Sequence, residues 1–521
     1  MANRDTAAAS AYHEATKHSV ASVQRSRHFL DFDNMPLPFK VYPELAAIPL
    51  PRDVTASARP ALTAIAADGR VAAGGRAAPD GQHALDLATL AHLLHFTAGV
   101  LRRRAYPGGE AFFRAQACTG NLHHIDLYLV CGPLADLTAG VYHFGPHDFA
   151  LRLLRAGDHR AAVVAATADH PAVATAPVVV ACTSTFWRNA WKYQTRTYRH
   201  CFWDDGTLLA NLFAVAAALE VPAHLVLGFV DTELNRLLDL DDEREVTLSL
   251  VALGVGAAPA PPAPPVAPLG HATLPLSAHE VRYPAITAAH AASSLCSADE
   301  VRAWRTPHAC APRPAGSAPL VPLLPSLEPP HEPIESVILR RGSTRVFGDD
   351  AIGFDVLSSV LRTITQGITA DVPGSDASDA GLTDLYLIVN AVEGLASGTY
   401  RYDHARNALA LLRAGDFRRA AGHLDLDQPL AADAAVDLYW LADLGAVLEE
   451  LGNRGYRAAQ LEAAIRGGKA YLAAFALGIG ATGLTFYDDE VTELFAPDAA
   501  GKSVMFLVAL GRPRRRRDDT A

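Results

Sequence analysis

Three short runs of this sequence carry residue types that can do chemistry. In Arg340-Arg-Gly-Ser-Thr-Arg345, the side chains of Arg341, Ser343 and Arg345 alternate cation, hydroxyl and cation. Two fork donors and a neutral donor from one segment suit a phosphate group; an ordinary charged helix end would look the same. Lys192-Tyr193 sets an ammonium beside a phenol just ahead of a long apolar helix. Such a pair could move protons at the mouth of a pocket, and an aromatic-basic surface loop fits it equally. Ala117-Cys118-Thr119-Gly120-Asn121 offers small residues around a glycine. Its backbone amides could approach a flat ring or an anion, and a plain loop with a buried cysteine would also suffice.

A fourth run, Gly478 to Gly483, satisfies the spacing G-x-G-x-x-G. The dinucleotide fingerprint needs a strand before it and a helix after it. Here a long helix precedes and a strand is expected at Leu484–Tyr487, so that reading is rejected. A glycine-rich turn of Gly480, Ala481, Thr482 and Gly483, with amides facing a cofactor, stays open. There is no H-E-x-x-H, no G-x-S-x-G and no cysteine-histidine metal spacing. His123 and His124 are adjacent and would point apart on a strand, so no metal is expected.

The elements that must position these runs occur twice. Leu153–Asp158 (LLRAGD) recurs as Leu411–Asp416, 258 residues later, and Gly140–Phe144 matches Gly398–Tyr402 at the same distance. Tyr128 pairs with Tyr386 and Tyr198-Arg199 with Tyr456-Arg457, again 258 apart, while Asp231–Glu233 matches Asp488–Glu490 at 257. Fixed spacing over five matches indicates a duplication. Each copy is expected to run helix (Leu85–Gly99; Phe354–Gly367), β-run (Ile125–Cys131; Leu385–Val389), short strands, a long helix (about Tyr198–Leu219; Tyr456–Leu477) and a further strand. That pattern predicts an α+β fold of two tandem lobes. The expected domains are an N-terminal extension (1–50), a first lobe (51–257), a proline-rich linker and strap (258–333) and a second lobe (334–521). Within the strap a helix is expected with Ser297 as N-cap and Glu300 three residues on.

Composition narrows the classes. The chain has 521 residues, a formal charge of −11, half its residues hydrophobic and 19% charged, which excludes global disorder and argues against a nucleic-acid binder. The basic run Arg512–Arg517 reads as a solvated tail. The longest apolar stretch, Leu208–Val230, is broken by Asn211, Glu220, Pro222 and His224, so no membrane span is expected. Six sparse cysteines without a C-x-x-C pair fit reduced thiols, and a cytoplasmic location.

Taken together, these segments resemble the nitroreductase-like FMN oxidoreductases, and more narrowly the SagB/ThcOx dehydrogenase subgroup, whose partners make azoles in ribosomal peptides. Tyr12–Ser19 and Pro38–Tyr42 are also typical of that subgroup. The resemblance assigns Arg341, Ser343 and Arg345 to the flavin phosphate, with Arg512 and Arg514 after the last strand in support. It places Cys118, Thr119, Gly120 and Asn121 where the family has a P-S-x-G-x-L loop lining the flavin ring, with Cys118 in place of the serine and Ala117 in place of the proline. It sets the Gly480–Gly483 turn near the flavin, and it matches Lys192-Tyr193 to the pair used by azoline dehydrogenases.

Family members are usually homodimers with two flavins at the interface. Here the losses are complementary: the first copy reads Ala61–Gly69 where the phosphate motif should be. The second copy has Pro373–Ala377 for the ring loop and Glu450-Leu451 for Lys-Tyr. One FMN per chain is therefore expected, at the lobe interface. The resemblance implies oxidation of a peptide azoline or a related dehydrogenation of a small molecule, with a cyclodehydratase-type partner. The chain would act alone as a pseudo-dimer or as a homodimer of it. An NAD(P)H-dependent nitro- or quinone reductase, or a non-catalytic scaffold of a peptide-modifying complex, are the alternatives.

Overall fold

The computed structural model describes residues 2–53, 55–67, 85–107, 109–306, 318–372 and 381–514. The loop Pro373–Ala377 and the last two residues of the Ala61–Gly69 stretch lie outside them.

Runs rich in apolar and β-branched residues, such as Ile125–Cys131 and Val178–Thr185, are buried on both faces inside a covered sheet; every residue of both runs is buried, and the charge of Asp126 is paired with Arg188. They belong to a seven-stranded antiparallel sheet. Its strands are β1 (Ala47–Pro49), β2 (Ile125–Cys131), β3 (Gly140–Gly145), β4 (Ala150–Ala156), β5 (Val178–Thr185), β6 (Ala223–Val226) and β7 (Glu245–Leu253), in the order β1-β4-β3-β2-β5-β7-β6. The second sheet comprises β8 (Leu320–Pro322), β9 (Asp384–Val389), β10 (Gly398–Asp403), β11 (Ala408–Ala414), β12 (Val436–Ala442), β13 (Gly480–Gly483) and β14 (Ser503–Gly511). Its order, β8-β11-β10-β9-β12-β14-β13, is the same.

The agreement extends to single residues. Tyr128 faces His143 in one sheet and Tyr386 faces Arg401 in the other. The register slips after Val141 and Cys182 in the first sheet and after Thr399 and Trp440 in the second, each 258 residues on. Bulges are built features rather than accidents, so their repetition marks two lobes of one design. The outermost strand of each sheet, β1 or β8, comes from the extension or the strap.

Six helices build the lobe boundary and carry the residues beside it: α1 (Phe186–Tyr193), α2 (Thr197–Ala218), α3 (Asp231–Leu238), α4 (Ile334–Arg340), α5 (Asn453–Ala476) and α6 (Asp488–Leu494). The charged side chains of a fully buried helix need partners inside the protein. All of α2 is buried, and all of α5 except Phe475. The two cross where side chains are smallest: a Cβ on Gly206 would sit 2.5 Å from that of Ala464, and one on Gly468 would sit 2.6 Å from that of Ala210.

Reciprocal ion pairs lock the crossing. Arg199 and Arg196 of the first lobe reach Asp488 at 2.6 and 3.1 Å, and Arg457 and Arg454 of the second lobe reach Asp231 at 2.7 and 2.6 Å. All six side chains are buried. Each patch meets its own copy, as a two-fold interface requires.

Three expectations change. Gly480–Gly483 is not a turn but the edge strand β13, paired with β14 from Gly480↔Gly511 to Gly483↔Val508. The strand expected at Leu484–Tyr487 is absent, because the chain has already used its pairing there. Lys192 and Tyr193 close the helix α1 rather than lie in a loop. Both long helices and the strap helix Ala298–Arg305, with Ser297 Oγ accepting the Glu300 amide at 3.2 Å, stand close to expectation. No helix of the described residues is long and apolar enough to cross a membrane.

Candidate functional site at the lobe interface

The second lobe supplies a cationic edge. Helix α4 ends at Arg340, and Arg341, its C-cap, turns the chain alongside β13, where the Thr344 amide donates to the Ala481 carbonyl at 2.9 Å. Gly480 is required there, since a Cβ would lie 2.2 Å from Thr344 Oγ1. Arg341 reaches across the lobe boundary to donate to the Ala115 carbonyl at 2.9 Å, with its guanidinium 5.9 Å from the Tyr471 ring. Its Nε is buried without a partner, and no carboxylate among the described residues pairs with it. Burial lowers its pKa from the usual arginine value, as expected for a desolvated cation lacking a counter-charge.

Ser343 Oγ lies 3.5 Å from the Tyr471 hydroxyl, which also accepts the Gly483 amide. Arg345 and Arg514 are exposed on the same edge, brought together by the Arg514 amide donating to the Val346 carbonyl at 3.0 Å. Arg512 is less available, because its Nε already donates to Ala351 at 3.0 Å.

Opposite this edge stands the first-lobe loop that precedes β2. Cys118 leads into a single turn, Thr119–Asn121, in which Gly120 (φ 63°), Asn121 (φ 59°) and then His123 (φ 48°) are left-handed. Gly120 also leaves room for a neighbour: a Cβ would meet the Tyr193 hydroxyl at 2.8 Å. Asn121 Nδ2 ties the loop to the Phe112 carbonyl at 3.0 Å, and Thr207 Oγ1 donates to Ala117 at 2.8 Å. The Cys118 thiol points inward. Sγ donates inward to Asp204 at 3.1 Å and accepts the His123 amide at 3.0 Å. Burial, then the Asp204 charge, push its pKa well up, so the thiol stays neutral.

Tyr193 packs edge-on against His200 with ring centroids 4.5 Å apart. Burial first, and then Asp204 and Cys118, raise its pKa above the usual phenol value. It is therefore a proton donor at neutral pH. Lys192 is half-buried, with Nζ 5.3 Å from the Tyr193 ring centroid.

The loop, the pair and the clamp thus meet across one lobe boundary. Sequence reasoning missed Asp204 and Tyr471. The signal for Asp204 was present: Asp204-Asp205 interrupts an apolar helix, and buried carboxylates need partners.

The pseudo-symmetric face is built differently. Helix Ala61–Ala67 carries no cation where the clamp should be. The edge of β6, which corresponds to β13, is covered: the Leu225 amide donates to Thr369 at 2.9 Å. Asp371 accepts the next two amides, Leu227 at 2.7 Å and Gly228 at 3.0 Å, and pairs with Arg305 at 2.7 Å. Ala458, Leu461 and Ile465 stand 258 residues after His200, Trp203 and Thr207, and with Leu225 and Leu227 they leave a void of about 10 Å³. That is too small for one water. Leu451 is buried at the position of Tyr193. A larger cavity, about 240 Å³, lies apart from both faces beneath Lys40, Tyr42 and His271. Lys40 there is already paired with Glu245 at 2.6 Å.

Residues 338–512 match the Nitroreductase family, a span that holds Arg341, Ser343, Arg345, Gly480–Gly483 and Arg512. The chain is similar in structure to a protein of Anabaena variabilis ATCC 29413 classed as a nitroreductase. The TM-score is 0.76 at 25% identity, over 97% of this chain and 99% of that one. A protein of Ralstonia eutropha JMP134, also classed as a nitroreductase, matches at 22% identity over 40% of this chain and 97% of its own, with a TM-score of 0.32. A chain of the Escherichia coli microcin synthetase McbBCD complex, solved with truncated pro-MccB17, matches at 17% identity over 49% and 93%, with a TM-score of 0.30. No curated protein sequence matches the chain. The second lobe thus matches the Nitroreductase family model, and both lobes share the nitroreductase fold. Proteins of that family typically bind a flavin.

Proposed function

We propose that this protein is an FMN-dependent oxidoreductase with one flavin site per chain, and that it oxidises a peptide azoline to the azole. The observation that carries this reading is the bond from Arg341 of the second lobe to Ala115 of the first. It joins a phosphate clamp lacking a counter-charge to a glycine loop beneath a protonated tyrosine, while Asp371 fills the corresponding amides on the other face.

Arg341, Ser343 and Arg345 would hold the phosphate, with Arg514 beside them. The backbone of Cys118–Asn121 and strand β13 would line the ring. When bound, FMN supplies a two-electron acceptor. An azoline that becomes an azole loses two hydrogens, one with its electron pair and one as a proton. The neutral amine form of Lys192 takes the proton, and Tyr193 orients the ring heteroatom by donating a hydrogen bond. Molecular oxygen is the reoxidant in this reading.

A second reading draws on Tyr193 itself. A phenol held protonated suits reduction, in which a nitro group or quinone must receive protons. Such a reductase has no need of Lys192. Incubating the flavin-loaded protein with a thiazoline-containing peptide separates the two: mass spectrometry should show loss of two hydrogens per ring, abolished in Lys192→Ala. Turnover of NAD(P)H with a quinone, unchanged in Lys192→Ala and without azoline oxidation, would favour the reductase. For the site itself, Arg341→Ala/Ser343→Ala should release the flavin, seen as loss of its visible absorbance after gel filtration. Full retention would remove the clamp assignment.

A further inference from the structure

Asp204 sits mid-way along α2 and is 3% exposed. A carboxylate in such a place is tolerated only if its lone pairs are filled. Four donors fill them. Oδ1 accepts the Thr119 amide at 2.8 Å and the Thr119 hydroxyl at 2.7 Å, and Oδ2 accepts Cys118 Sγ at 3.1 Å and His124 Nε2 at 2.9 Å. The donor set fixes the rest of the chain. With its proton on Nε2, His124 accepts the Ser184 hydroxyl at Nδ1 over 2.8 Å, and Ser184 Oγ accepts Cys201 Sγ at 3.2 Å. Asp204 therefore links the ring loop, the helix α2 and strand β5 through hydrogen bonds alone.

What it holds is a costly conformation. Asn121 and His123, both left-handed without being glycine, flank a turn that persists only when its surroundings over-determine it. Their combined effect is to bring Gly120 under the Tyr193 hydroxyl. The groups facing that phenol are Asp204 and His200 from α2, Cys118 from the loop and Lys192 beside it on α1. His200 is kept neutral by burial and Cys118 is a thiol, which leaves Asp204 as the negative charge among them.

The second lobe gives the contrast. Glu462, 258 residues on, takes the Thr383 amide at 3.1 Å, the Thr383 hydroxyl at 2.7 Å and the Leu382 amide at 2.9 Å. It also has Arg466 at 3.5 Å. The holding device is thus present on both faces, but the face without a tyrosine has an arginine beside the carboxylate.

We propose that Asp204 is a positioning residue of the composite site: it fixes Cys118–Asn121 beneath the Tyr193 hydroxyl and is the negative charge facing that phenol. It touches neither ring nor substrate, and the proposal rests on Lys192-Tyr193 being the proton-handling pair. The test uses flavin-free full-length protein and alkaline phenolate absorbance. The Tyr193 titration is the difference between the parent and Tyr193→Phe, and it is measured again in the Asp204→Asn background.

Removing the negative charge should shift the Tyr193 titration downward, while Asp204→Glu should leave it near the parent value. An unchanged titration in a folded Asp204→Asn protein, checked by circular dichroism, would overturn the proposal. Should Asp204→Asn not fold, Thr119→Val removes one donor and keeps the charge. FMN retention should then fall about tenfold with the titration unmoved, and full retention would overturn it. These readouts need no substrate. A failure of the Lys192-Tyr193 assignment shows separately, as a flavin-loaded Tyr193→Phe enzyme with parental turnover.

Discussion

The two faces of the α2–α5 crossing share a scaffold and differ in charge. Both have the same strand order, the same bulges and the same Arg-Arg-Asp clamp across the lobe boundary. One face presents Arg341 to the glycine loop across the lobe boundary; the other takes up its Leu227 and Gly228 amides with Asp371 and fills its centre with Leu461 and Ile465. Duplication in one chain explains the asymmetry physically. The interface needs both halves to bury α2 and α5, whereas chemistry needs only one complete face. Clamp and ring loop come from opposite lobes, so each face can lose its parts without disturbing the crossing.

Where the faces are alike, they should fail alike. Asp231→Asn and Asp488→Asn each leave two buried arginines short of a counter-charge, which should cost about 3–5 kcal/mol, read as similar drops in denaturation midpoint. A large drop for one and none for the other would break the comparison at its base.

Where the faces differ in chemistry, only one should respond. Lys192→Ala and Tyr193→Phe should each lower azoline turnover about 100-fold or more with flavin retained. In contrast, Glu450→Lys, on the closed face, should leave it at the parental rate. A response to Glu450→Lys would mean that the second face works.

A difference between the lobes in pH response concerns Asp205, whose counterpart is Ala463. Burial raises its pKa from 3.8 to about 7. Below pH 4 both folded and unfolded forms hold the proton. As pH rises toward 7 the unfolded chain releases it first, so stability falls by about 1.4 kcal/mol per pH unit and then levels off. Asp205→Asn should match the parent near pH 4 and exceed it at pH 8. Parallel stability profiles would remove this difference between the lobes.

Much of this was legible because it is local or periodic. The 258-residue repeat foretold two copies of one domain, and R-x-S-x-R and Lys192-Tyr193 stood out by residue type, each with a plain structural reading equally open. The strand at Gly480–Gly483 was hidden, since four small residues have no period and owe their pairing to β14. The inward turn of Cys118 was hidden as well, because its partner lies 86 residues away on α2. Asp371, which plugs the second face, reads in sequence as an ordinary loop acid, and its role arises only where it meets the Leu227 and Gly228 amides.

The most direct measurement is the amount of flavin bound per chain. The protein is saturated with FMN, freed of excess by gel filtration, denatured, and its released flavin counted against protein. One FMN per chain is the predicted result, supplied by the Arg341 face. Two per chain would contradict the account, because the face closed by Asp371 would then have to open and bind.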